Sequence, residues 1–131
     1  MQPFVIGYNL PIFIAVFSLM ITISDARKLA LSFPEVIELP HFHLASFRAN
    51  EKIFATLWEK EKRMMVKLSP VDQSVFCDLN KGVIYPVPNK WGLQGATFVE
   101  LQKVKKGVLK DAIECAYCLA VKKPNKKKDE K

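Results

Sequence analysis

Between residues 44 and 69 the chain alternates apolar and polar side chains in three short runs separated by tight polar turns. A repeat of two places every second side chain on one face of a strand, a pattern that no helix face can use. In the first run Ala45, Phe47 and Ala49 point one way, and Ser46 and Arg48 the other. Asn50-Glu51 predicts a hairpin turn, because Asn tolerates the left-handed backbone that such a turn needs. The second run sets Ile53, Ala55 and Leu57 against Lys52, Phe54, Thr56 and Trp58. Residues 59–62 turn the chain again, and Met64, Val66 and Leu68 then oppose Arg63, Met65 and Lys67. The expected product is an antiparallel meander with one apolar face and one basic face that carries aromatic rings between its charges.

The flanking sequence supplies cover for the apolar face. Thr22 and Asp25 form a capping box for a helix on which Ile23, Ala26, Ala30 and Phe33 share a side, ending at Pro34. A strand over 36–39 is expected to close at Pro40. Ser69-Pro70-Val71-Asp72 predicts a second capping box and a helix to Leu79 that stops at Gly82. Residues 83–85 read as a short strand. Pro86, Pro88, Gly92 and Gly95 then mark an ordered loop around Trp91, before a strand over 96–101. Finally, Val108, Leu109, Ala112, Ile113, Ala116, Leu119 and Ala120 recur at helical spacing over 104–121. Their apolar stripe needs a sheet face to cover, so the expected fold is α+β: an antiparallel sheet with helices packed on one face and the other face free.

A chain of 131 residues suits one core. Six lysines against Asp129 and Glu130 put more than half of the +7 formal charge into residues 122–131, which read as a disordered Lys-rich tail with no specific role. Residues 1–24 carry no charged side chain, and Pro3, Gly7, Asn9 and Pro11 interrupt the first half of this apolar stretch. The preferred reading is an upstream extension over 1–19 with the domain beginning at Met20. A membrane anchor over residues 1–23 is the first alternative and a cleaved signal the second, although the basic start and small-residue cleavage site of a signal peptide are missing. Three cysteines, Cys77, Cys115 and Cys118, make an odd count that points to reduced thiols and a cytoplasmic location.

Several blocks of the domain carry a family resemblance. Ala30-Leu31-Ser32-Phe33-Pro34, Ser46-Phe47-Arg48, Lys52-Ile53-Phe54-Ala55, Lys67-Leu68-Ser69, the run from Tyr85 through Trp91 to Gly92, and Ala116-Tyr117 resemble the MmcQ/YjbR family, in order, across residues 22–122. The resemblance implies a CyaY-like, double-wing α+β domain of residues 20–121 and a DNA-binding role. One departure is Ala96, where the family pattern implies an aromatic residue after Gly95. The same fold includes frataxin-type iron binders that use an acidic surface, but here Glu59 and Glu61 are interleaved with Lys60 and Lys62.

The candidate binding residues follow from the basic face. Arg48, Lys52, Arg63, Lys67 and Lys90 are expected to contact phosphates, and Phe54, Trp58 and Trp91 to stack on bases, a mixture that suits single-stranded nucleic acid especially. The bland reading of the same face is the charged, aromatic outer surface of a one-sided sheet. Trp91 is equally open to a role as a plug at the core edge. The competing function is a non-enzymatic protein-interaction module that uses the same face. His41-x-His43 and Cys115-x-x-Cys118 have spacings that zinc permits, yet nothing in the sequence brings the pairs together, and the expectation is no metal and no cofactor. The sequence contains no phosphate-cradling Gly loop and no nucleophile elbow, so an enzyme is the least favoured class.

Overall fold

The meander lies at the centre of the sheet, and its neighbours extend it to six strands. A computed structural model describes residues 20–122, which form α1 (Ile23–Leu31), β1 (Ile37–His41), β2 (Leu44–Ala49), β3 (Lys52–Trp58), β4 (Arg63–Lys67), α2 (Pro70–Leu79), β5 (Ile84–Pro86), α3 (Lys90–Leu93), β6 (Ala96–Glu100) and α4 (Lys106–Val121). The strand order is β1-β2-β3-β4-β6-β5, and every pairing is antiparallel. The readings placed on residues 1–19 and 123–131 lie outside the described residues. Among the described residues no helix is long and apolar enough to cross a membrane.

Helix α4 crosses β2, β3 and β4, with α1 against β3 and α2 against β5. Its Leu109, Ala112, Ile113 and Ala116 are buried against Phe47, Leu57, Met64, Val66 and Val99. Each large apolar side chain removed from water in this layer stabilises the fold by about 1.5–3 kcal/mol. The protein is thus α+β, with the helical layer on one face as the periodicities require.

Local chemistry sets the element ends. The Thr22–Asp25 box is reciprocal: Asp25 N donates to Thr22 Oγ1 and Thr22 N to Asp25 Oδ2. The bond from Thr22 N, and after it the nearby Thr22 hydroxyl, favour the ionised carboxyl, so Asp25 titrates below its ordinary value. Ser69 Oγ accepts from Asp72 N without a return bond, which leaves a simple cap in place of the expected box. Helix α1 ends at Leu31, short of Pro34, while Phe33 stacks on Tyr117 and Tyr117 Oη donates to the Pro34 carbonyl. Pro40 lies inside β1 instead of closing it, since β1 is an edge strand and can spare one N–H. Helix α4 starts at Lys106, two residues later than the pattern predicts, because Val104 is a buried plug ahead of the first turn. The long loop contains α3, N-capped by Asn89, whose side chain accepts from Trp91 N.

Candidate nucleic-acid interface

One extra residue in β3 creates the site. The β2–β3 register runs Ala45↔Leu57, Ser46↔Thr56, Phe47↔Ala55 and then Arg48↔Ile53, which leaves Phe54 as a bulge. Beyond it the alternation of β3 is inverted. Ile53 joins Arg48 on the outer side, and Phe54 turns to the helices, 1% exposed and edge-on to Tyr117 with ring centroids 5.7 Å apart. Phe54 is therefore a core residue and offers no ring to a base, contrary to the strict alternation expected.

The bulge also splits the sheet. Pairing of β3 with β4 stops at Ala55↔Val66, whereas β2–β3 continues to Ala49↔Lys52 and β4–β6 to Lys67↔Ala96. A groove of about 550 Å³ opens in the gap, lined by Arg48, Lys52 and Lys67 with Glu51, over the Ala116, Leu119 and Ala120 segment of α4. Arg48 Nε donates to Ser46 Oγ at 3.1 Å, and Ser46 Oγ donates in turn to the Leu39 carbonyl, so the guanidinium is held by its inner nitrogen. Ion pairs among the described residues are Arg27 with Glu38 and Glu59, and Lys81 with Asp78. Among the described residues the three groove cations form no ion pair with a carboxylate.

The remaining predicted residues separate into two groups. Arg63 lies at the opposite end of the β3–β4 pair, across from Trp58. Its guanidinium sits 3.8 Å from the Phe98 ring centroid and 5.1 Å from that of Trp58, and donates to Tyr85 Oη, which donates to Glu100. Trp58 is half-buried, edge-on to Phe98, and spends its indole N–H on Thr56 Oγ1. Arg63 Nε is buried without a partner. Both residues are thus built into an aromatic cluster, and the outer face is less free than the meander alone implies: Ser46, Thr56 and Phe98 on it are buried. Desolvation first, and the Glu100 bond second, push the Tyr85 hydroxyl above its ordinary value. Tyr85 and Phe98 belong to this face but were missed, although alternation of Thr97, Phe98 and Val99 carries the signal.

Lys90 and Trp91 project at the same end of the sheet as Lys67, without lining the groove. Trp91 is 58% exposed, so it is not a core plug. Its loop is pinned by Leu68 N to the Gly95 carbonyl and by Gln73 Nε2 to the Gly92 carbonyl. Gly92 is required there: a Cβ would stand 1.8 Å from the Val87 oxygen. His41 and His43 sit at the β1–β2 hairpin, Cys115 and Cys118 on α4, and among the described residues no group of three or more such side chains is arranged to hold a metal. Burial raises the thiol pKa of Cys77 and Cys115, which suppresses the reactive thiolate.

With the geometry in place, comparison with known proteins assigns the domain. The family model described as YjbR matches residues 31–119. The chain belongs to the YjbR family. Among solved structures, this YjbR domain is similar to Deinococcus radiodurans protein DR2400, described by the family-model domain DUF419, with 20% identity over 79% of this chain and 81% of that one and a TM-score of 0.63. It is also similar to a protein from Pseudomonas syringae, with 19% identity over 71% of this chain and 93% of that one and a TM-score of 0.53. Both likenesses establish the fold. A search of curated proteins finds no match.

Proposed function

We propose that this YjbR domain is a non-enzymatic, cytoplasmic DNA-binding module that grips the phosphate backbone at the split end of its sheet. The observation that carries the reading is the groove in which Arg48, Lys52 and Lys67 converge with no ion-paired carboxylate among the described residues. Cations left unpaired on a protein surface attract polyanions and release the counterions condensed on them, which makes binding favourable and strongly salt-dependent. Lys90 adds a further phosphate contact, and Trp91, exposed on a pinned loop, supplies a stacking surface. A duplex presents its bases edge-on in the grooves, whereas a single strand offers the faces that an indole can cover, so single-stranded DNA is the preferred form.

Fluorescence anisotropy of labelled single- and double-stranded oligonucleotides with the full chain tests this reading at about 50 and 200 mM salt. The lysines of residues 122–131 are replaced by Gln, so that the tail's charge does not contribute. Single-strand binding that weakens steeply with salt, and that is much weaker and less salt-dependent in Arg48→Gln/Lys52→Gln/Lys67→Gln, is expected. Absence of binding by the tail-neutralised chain would refute it.

A further inference from the structure

Helix α2 turns its most apolar side away from the core. Val71, Val75 and Leu79 recur once per turn and are 71%, 50% and 77% exposed, while none of the helix's residues is buried. Beside this stripe lies a groove of about 680 Å³ between α2 and α4, lined by Phe76, Cys115 and Leu119, with Asp72, Asp111 and Glu114 along it. These three carboxylates lie close enough to Cys115 to raise its thiol pKa, after the effect of burial. None belongs to an ion pair among the described residues, and Lys122 is the one cation in the lining. In a chain of formal charge +7, this groove is a local negative field over an apolar strip.

We propose that the α2–α4 surface docks a basic amphipathic helix of a partner protein. Both walls are helices, whose backbone groups are satisfied internally, so they offer side chains and no sheet edge. An extended peptide laid on the apolar strip would leave its own N–H groups unpaired, whereas a helix brings its hydrogen bonds with it. Its apolar residues at i, i+3 and i+4 cover Val71, Val75 and Leu79, and flanking Lys or Arg meet Asp72, Asp111 and Glu114. This surface adjoins the basic groove at Leu119, which lines both, and takes the opposite charge. The domain can therefore hold a polyanion and a cationic helix together, which makes it an adaptor between the two.

The test uses the full chain and a fluorescein-labelled Leu/Lys model peptide of about four turns with Leu at helical spacing. A Leu/Glu peptide of the same pattern is the control. The Leu/Lys peptide is expected to bind, and its affinity to fall about tenfold in Asp111→Asn/Glu114→Gln and again about tenfold in Val75→Ser/Leu79→Ser. All four positions are on the surface, and circular dichroism confirms that the variants remain folded. The proposal is overturned by no binding at about 100 μM peptide, a very weak limit. It is equally overturned by affinity that neither variant changes, by equal binding of the Leu/Glu peptide, or by concentration-dependent self-association through this surface in sedimentation runs without peptide.

Discussion

The two ends of the β3–β4 pair carry similar residues and put them to opposite uses. At the closed end Arg63 pairs across from Trp58, is flanked by Phe98 and Tyr85, and has Glu100 as its register neighbour. Nearby, Arg27 is shared between Glu38 and Glu59. Arg63 and Arg27 at this end are already matched to rings and carboxylates. At the split end the bulge at Phe54 removes the partner strand, and Arg48, Lys52 and Lys67 face a groove with only Glu51 beside them. What distinguishes a structural arginine from one available to a ligand is the register of its neighbours, not its residue type.

The largest expected effect tests the assignment of Phe54. Phe54→Ala should cost about 3–5 kcal/mol of stability, read by urea unfolding, because it empties a core site beneath Tyr117. A loss of DNA affinity without a loss of stability would instead put Phe54 on the binding face. Arg63→Ala should cost about 1–2 kcal/mol through its ring contacts and the Tyr85 bond, with the salt dependence of DNA binding unchanged. If that salt dependence falls, the contrast between the ends is wrong.

Glu51→Gly sharpens the contrast from the other side. Asn50 and Glu51 have φ of 55° and 63°, a left-handed pair that a two-residue hairpin demands and that Glu adopts only with strain. Gly there should raise stability by about 1 kcal/mol. Removing the groove's carboxylate should also tighten oligonucleotide binding. Tyr85 supplies the smallest effect. Its raised pKa means that its contribution is complete below its ordinary value, near 10, and is lost as pH rises through the higher folded value. Alkaline unfolding should show that loss, and Tyr85→Phe should remove it.

These contrasts mark where the sequence was legible. Helical spacing in α4 and alternation in β2 and β4 led directly to the α+β layers, since both patterns report which side is covered. The Asn50-Glu51 turn was equally readable, because φ tolerance is a property of the residue. Phe54 was not: a bulge keeps local composition intact while flipping every later side chain, and Lys52-Ile53-Phe54 alternates as well as any regular strand. The burial of Phe98 and the capture of Arg63 were hidden for a related reason. They depend on β6 and β5 pairing beside β4, a long-range register that no local pattern encodes. Trp91 sits on a loop that the Gly92 and Gly95 contacts hold tight, and the loop's composition marks the tightness without saying which way the indole turns.

The most direct measurement is the slope of log affinity against log salt for single-stranded DNA in three tail-neutralised proteins: the parent, Arg48→Gln/Lys52→Gln/Lys67→Gln, and Arg63→Gln. Each phosphate contact at a single strand contributes about 0.7 to that slope, so the groove variant should lose about 2 and Arg63→Gln nothing measurable. Equal slopes in all three proteins, or a loss confined to Arg63→Gln, would contradict the division of the sheet into a ligand end and a structural end.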